Sequence, residues 1–288
     1  MHKKREKRTN ALVTTTVILI IIFLCALLIT LLFYEKKEKR TPMTTGSSGI
    51  VTAVIPNLEE IKLLTADLPP DPFNLTETEI YTFMQGPVAY SSGTDWGGSW
   101  CNMVLFDQKF SVFGCGLCCL ANIYSTLTPY DCSPIDMFEY AREVSDYTPV
   151  SGYGAIDWPH MKYTLETLGI ESELHHKDEN YSDFQDALEN NITATVLISS
   201  AYDKTYWQHV PGHYINVWNY DRTDDTVFLA DSGNPEHNRQ RIPLKYVYDA
   251  INTGSTYQYL LVTGVDPDKN TWKHDGIDIE WNVPAYYE

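Results

Sequence analysis

The stretch Phe113–Thr126, FGCGLCCLANIYST, decides the fold. After two glycines the apolar residues run on without a breaker, which predicts a helix from near Cys115 to Thr126. Glycine on both sides of Cys115 lets the backbone bend sharply and lets a substrate come close. A thiol at a helix N-terminus feels the positive end of the dipole, which favours the thiolate a nucleophile needs. The competing reading of Cys115 is a buried or disulfide-bonded cysteine. Cys118 and Cys119, one turn further on, read as small core-facing residues. Cys101 and Cys132 are spare thiols that could pair with either of them in an oxidising compartment, a connectivity that sequence does not fix. The spacing Cys115, Cys118, Cys119, Cys132 lacks the second ligand pair of a zinc site, so no metal is expected.

Punctuation places the other elements. Ser133-Pro134 is an N-cap followed by proline at the first helical position, opening a helix to about Ser145. Asp157-Trp158-Pro159 opens another that Gly169 closes, and Ser182 is expected to cap a fourth, to Glu189. Strand-like runs follow at Ala194–Ser199, His213–Tyr220, Thr226–Asp231 and Tyr257–Thr263, with a short helix over Pro243–Ile251. Helices first and strands later predict an α+β domain.

The strand HYINVWNYD begins at His213, turns through Asp221-Arg222-Thr223-Asp224 and returns as TVFLADSG. Folding that hairpin is expected to bring His213 and Asp231 to nearly the same level on neighbouring strands. An Asp beside a His fixes its tautomer and stabilises its charged form, as a general base facing a thiol requires. The plainer reading is a satisfied core histidine beside a turn-capping aspartate. His209 and His213 lie four apart, but Pro211 and Gly212 forbid the helix that would align them as ligands. His175-His176 lies in a charged stretch and is read as solvated. Asp266-x-Asp268-x-Asn270 starts like a calcium loop but lacks its glycine and terminal glutamate. Most of the aromatic residues are expected to be packing rather than a cleft lining.

The chain of 288 residues is 43% hydrophobic and 20% charged, which rules out wholesale disorder, collagen and coiled coil. Residues 1–40 hold nine Lys/Arg against three Asp/Glu, while the rest hold twelve against thirty-five. A body that acidic repels phosphate backbones and excludes nucleic acid as a partner. Residues 1–10 form a basic tail. Residues 11–34 carry no charge and are long enough to cross a ~30 Å hydrocarbon core, predicting a single uncleaved transmembrane helix. Five flanking Lys/Arg before it and four after it favour the tail inside and the body outside the cell. Residues 35–78 read as a juxtamembrane stalk, and the folded domain is expected over 79–288.

GCGLCCLANIYS, GHYINVWNYD and VFLADSGNP, in that order, resemble the papain-like cysteine peptidases of the bacteriocin-processing family and their C-39-like relatives. The resemblance covers about residues 80–265. It implies a papain-like fold in which an N-terminal helix carries the nucleophile and packs on an antiparallel sheet. It implies Cys115 as nucleophile, His213 as base and later acid, and Asp231 as the orienting group. It also implies an upstream glutamine as oxyanion donor: Gln85 in FMQGPVAY is preferred, with Gln108, seven residues before Cys115, the alternative. Leu117-Cys118-Cys119 departs from the Pro-Thr of many relatives, and no ATP-binding transporter motif follows. The expected activity is hydrolysis of a peptide or protein substrate without metal or organic cofactor. A cell-wall amidase or transpeptidase, and a non-catalytic peptide-binding module, are the other readings.

Overall fold

The computed structural model describes residues 71–150 and 154–287. The basic tail and the predicted transmembrane helix at 11–34 lie outside them, as does the stalk up to residue 70. Among the described residues no helix is long and apolar enough to cross a membrane. The architecture is α+β, with one antiparallel six-stranded sheet.

The N-terminal part is mostly helical. It holds α1 (Pro87–Ser91), a two-stranded hairpin of β1 (Val104–Leu105) and β2 (Gln108–Lys109), and α2 (Phe110–Phe113). Phe106 and Asp107 close that hairpin with positive φ at both positions, the geometry a two-residue turn demands. Then come α3 (Cys115–Leu127), α4 (Pro134–Ser145) and α5 (Trp158–Thr167). The Ser133 hydroxyl accepts from the Asp136 N–H, and the Asp136 carboxylate answers with the Ser133 N–H, so α4 starts on a reciprocal cap. Asp157 caps α5 through the His160 N–H, and Gly169, at φ +72°, ends it.

The sheet is built from β3 (Ile170–His175), β4 (Thr193–Ile198), β5 (His213–Asp221), β6 (Thr226–Ala230), β7 (Arg241–Pro243) and β8 (Tyr259–Val265). Their order is β3-β8-β4-β5-β6-β7, antiparallel throughout. Two helices interrupt the strands, α6 (Tyr181–Glu189) and α7 (Leu244–Ala250). Alternation sorts the strand residues between two cores. Tyr214, Trp218, Phe228, Ala230, Leu260 and Val262 join the core of α3, α4 and α5. Ile215, Val217, Val227, Leu229, Tyr259 and Leu261 join Phe184, Leu188, Leu244 and Val247 of α6 and α7. The sheet is therefore covered on both faces, which is why its central strands read as nearly continuous apolar runs.

Several expectations need correction. The fourth helix begins at Tyr181, after Asn180 and not Ser182, and no side chain caps its N–H groups. The charged stretch before the histidines is the edge strand β3, with Ile170 and Ser172 inward and Glu171 and Glu173 outward. His175 is half-buried and stacks on Tyr259 with ring centroids 5.1 Å apart; His176 is exposed. Leu75, assigned to the stalk, is buried, its carbonyl accepts from the Asn219 amide at 2.8 Å, and Glu77 pairs with Arg241 at 3.0 Å. Packed structure thus reaches back at least to Leu75. At the other end, Trp281 bridges Gly98, and Trp96, Trp100 and Trp281 surround Phe83. Those tryptophans are packing.

Candidate active site

Cys115 is the first residue of α3 and is only 6% exposed. Its flanking glycines serve packing rather than a bend, since Gly114 has an ordinary φ of −74° and Gly116 is helical. A Cβ on Gly114 would stand 2.4 Å from the Phe110 ring, and one on Gly116 would stand 2.6 Å from Ile156. Small residues here let the helix mouth close on α2 and on the loop before α5, which fixes where the thiol sits.

His213 and Asp231 lie at strand ends. The pairing of Asn216 with Ala230, extended, puts Gly233 and not Asp231 opposite His213. The hairpin closes at Asp221 and Thr226, a register that alone would put Asn234 opposite His213, and the shift between Trp218 and Asp221 takes back one residue. Asp231 sits diagonally, on the same face, still within reach of a long side chain. His213 Nε2 meets Asp231 Oδ1 at 2.8 Å, so Nδ1 is the ring nitrogen left for the thiol. By parity the pair belongs to the α6–α7 face while α3 packs on the other. His213, first in β5, and Asp231, just past β6, stand at the end of the strands, where the charge of His213 reaches Cys115.

The three groups set one another's protonation. Burial alone would raise the Cys115 thiol, but the hydrogen bond and charge of His213, with the N–H groups of Tyr214 and Gly116, lower it below its ordinary value. Burial opposes protonation of His213, yet the charge and hydrogen bond of Asp231, and those of Cys115, raise it well above the usual imidazole range. Burial likewise opposes ionisation of Asp231, and the His213 charge with bonds from His213, His237 and Trp207 holds it well below the usual carboxylate range. The arrangement favours a thiolate–imidazolium pair steadied by a buried carboxylate.

Sequence reasoning missed the residues that hold this pair in place. Asp231 Oδ2 accepts from the Trp207 indole at 2.9 Å, Oδ1 accepts from the Gly233 N–H at 3.0 Å, and the Asp231 N–H donates to Asn238 at 3.2 Å. His237 Nδ1 stands 3.4 Å from Oδ2 while its ring stacks on Tyr206, centroids 4.2 Å apart. Asn122 of α3 donates to Asn216 of β5 at 3.1 Å and accepts from the Phe83 N–H at 2.8 Å, locking the helix to the histidine strand inside the core. A lone Asn within each apolar run, LANIYS and HYINVW, was the signal available for that link.

The two glutamines are in different places. Gln85 donates to the Ser111 carbonyl at 3.0 Å, just before α3, and accepts from the Ser232 hydroxyl at 3.0 Å, beside Asp231. Gln108 donates to the Val150 carbonyl at 2.8 Å. A cavity of about 400 Å³ opens beside His213, between Tyr206–Gly212 and Gly233–His237. His209 lines it with a positive φ, in an irregular segment and not a helix. The five cysteines among the described residues are free and buried, and no cluster there could hold a metal ion.

Gly233 offers a sensitive test of this geometry. A Cβ there would stand 3.0 Å from His213 Cε1 and Nε2 and 3.4 Å from Asp231 Oδ1. Overpacking of this kind costs ~1–3 kcal/mol, so Gly233→Ala should fold yet alkylate at Cys115 about tenfold more slowly at pH 6. Labelling rates of variant and wild type check this, and equal rates would mean that the imidazole yields without consequence.

Comparison of the chain with protein-family models and with curated proteins gives no match.

Proposed function

We propose that this protein is a papain-like cysteine peptidase that hydrolyses peptide bonds through Cys115, His213 and Asp231. The observation that carries the reading is the 2.8 Å contact from His213 Nε2 to Asp231 Oδ1 behind a buried thiol at the mouth of α3. The Cys115 thiolate attacks the scissile carbonyl carbon, and the carbonyl π electrons move onto oxygen. The Cys115 N–H and the Gln85 amide receive that oxyanion. Imidazolium His213 gives its proton to the leaving amine as the C–N bond breaks and a thioester remains. His213 then takes a proton from water, whose oxygen displaces the thiolate. Gln85 is favoured over Gln108 because Ser111 and Ser232 tie it to both halves of the site.

The uncharged run at residues 11–34 supports tethering to a membrane by one helix, with the peptidase outside the cell. Hydrolysis of a peptide library by the full chain, with Cys115→Ala as the blank, tests the activity. Gln85→Ala should lower kcat about 10²–10³-fold while leaving Cys115 alkylation nearly unchanged, and Gln108→Ala should alter neither kcat nor alkylation. The reverse result would move the oxyanion role to Gln108. No Cys115-dependent cleavage, together with retained peptide binding, would make the protein a recognition module instead.

A further inference from the structure

Cys115-Gly116-Leu117-Cys118 places two thiols in the first turn of one helix, three residues apart. We propose that Cys115 and Cys118 form a reversible disulfide that protects and silences the nucleophile when a hydroperoxide reaches it. This rests on Cys115 being the activated thiolate, and it goes beyond the hydrolytic reading by assigning Cys118 a chemical role.

Geometry comes first. Residues i and i+3 of a helix have Cβ atoms ~5–6 Å apart, against the ~3.5–4.5 Å that a disulfide takes. Closing the gap means tightening one turn by an ångström or two. The turn concerned is the helix's first, where the leading N–H groups have no intrahelical partner to lose. The one ladder bond that must adjust runs from the Cys118 N–H to the Gly114 carbonyl, at 2.9 Å.

The two sulfurs are also unlike. Cys115 has the imidazolium of His213 and two backbone N–H groups to hold a thiolate. Cys118 is fully buried, and burial, with the nearby Cys101 and Cys115, keeps it protonated against a weaker pull from the Ser232 hydroxyl. The first is built to react and the second to wait. Cys119 suits the waiting role less well, since the Asp231 carboxylate adds to the groups opposing its ionisation. Cys101 is engaged by donating its S–H to the Met84 carbonyl at 3.3 Å.

In the first step the Cys115 thiolate attacks one oxygen of the hydroperoxide and the O–O bond breaks. Sulfenic acid forms on Cys115, and the departing hydroxide or alkoxide takes the His213 proton. In the second, the Cys118 sulfur attacks the Cys115 sulfur, and the S–O bond breaks. The oxygen leaves as water with the Cys118 proton. Two thiols are oxidised by two electrons and the hydroperoxide is reduced by two. An external dithiol returns both thiols by exchange.

The test treats the full chain with hydrogen peroxide, then alkylates and maps the peptides before and after dithiothreitol. Wild type should yield a peptide lighter by two hydrogens, spanning both cysteines. Cys115 labelling should drop at least about tenfold and return on reduction. Cys118→Ala, whose Cys115 labelling before peroxide reports that the site is folded, should trap dimedone at Cys115, pass to sulfinic acid and fail to recover. Cys119→Ala and Cys101→Ala should behave as wild type. A peroxide-treated wild type without the Cys115–Cys118 link, or a Cys118→Ala variant that recovers fully, overturns the proposal. Absence of selective Cys115 labelling in untreated protein would instead bring down the nucleophile assignment, and this inference with it.

Discussion

Cys115 alkylation in the full chain should show one acid limb, well below the ~8.5 pKa of a free thiol, and no alkaline limb, whereas peptide hydrolysis should rise and fall. The two assays count different species. Iodoacetamide needs only the thiolate, and the lowered Cys115 thiol supplies it at a pH where a free thiol is still protonated. Hydrolysis also needs protonated His213 to release the amine, so it fades as pH rises through the raised imidazole pKa. The limbs belong to the coupled pair rather than to either residue alone. At pH 6 a free thiol is only ~0.3% ionised, so a lowered thiol is richer in thiolate there, and its weaker nucleophilicity takes back only part of that gain. A rate advantage over a free thiol should therefore survive at pH 6. His213→Ala should abolish it, because burial is then the largest influence left on Cys115 and pushes the thiol upward. Hydrolysis in Cys115→Ala or His213→Ala should fall by ~10⁴-fold or more, as for members of other triads. Identical alkylation profiles in wild type and His213→Ala would remove the ion pair from the mechanism.

The same pair gives stability a pH dependence of known sign. His213 is raised on folding, so its contribution is complete below the unfolded imidazole value of ~6.5 and is lost as pH rises through the folded one. Cys115 is lowered, so its contribution is present above the unfolded thiol value and lost as pH falls through the folded one. The paired state is therefore the ground state over the interval between the two.

The local signals in the sequence were legible because they are made within a few residues. Ser133-Pro134 and Asp157-Trp158-Pro159 place α4 and α5 to the residue, since a cap is chosen by the backbone next to it. The helix α3 declares itself by the unbroken run after Gly116. Less legible was whatever depends on partners far along the chain. β3 hides because an edge strand keeps Glu171 and Glu173 outward, so it reads as a charged loop. The diagonal placement of Asp231 follows from a bulge in the hairpin, which no count of turn residues reveals. Trp207 and Asn238 reach Asp231 across 24 and 7 residues, and only the folded chain makes them its hydrogen-bond partners. Gly114 and Gly116 show the same limit from the other side. Their presence was readable, but their purpose, room for the Phe110 ring and Ile156, was not.

Removing the carboxylate should be the most destabilising single change in the site. Asp231 is 1% exposed and accepts from His213, Trp207 and Gly233, and the first two of these donors are themselves buried, with little water to fall back on. Breaking a buried pair by deleting one partner typically costs ~3–5 kcal/mol, because the remaining charge is left uncompensated. At ~2–4 °C per kcal/mol for a domain of this size, Asp231→Ala should lower Tm by about 10 °C. Asp231→Asn should lose less, since its carbonyl still accepts one donor, but its NH₂ then opposes either the indole or the imidazole. The sign of the acid dependence follows from the depressed carboxyl. The contribution of Asp231 is present above the unfolded value of ~3.9 and is lost as pH falls towards the folded one. The gap in Tm between wild type and Asp231→Ala should therefore be widest near neutral pH and narrow below about pH 4, wherever both still fold. Thermal melts across that range decide it. A gap that stays constant would mean that Asp231 stabilises by packing alone. Without its charge, His213 would lose the partner that holds it protonated, and Cys115 the cation that holds its thiolate.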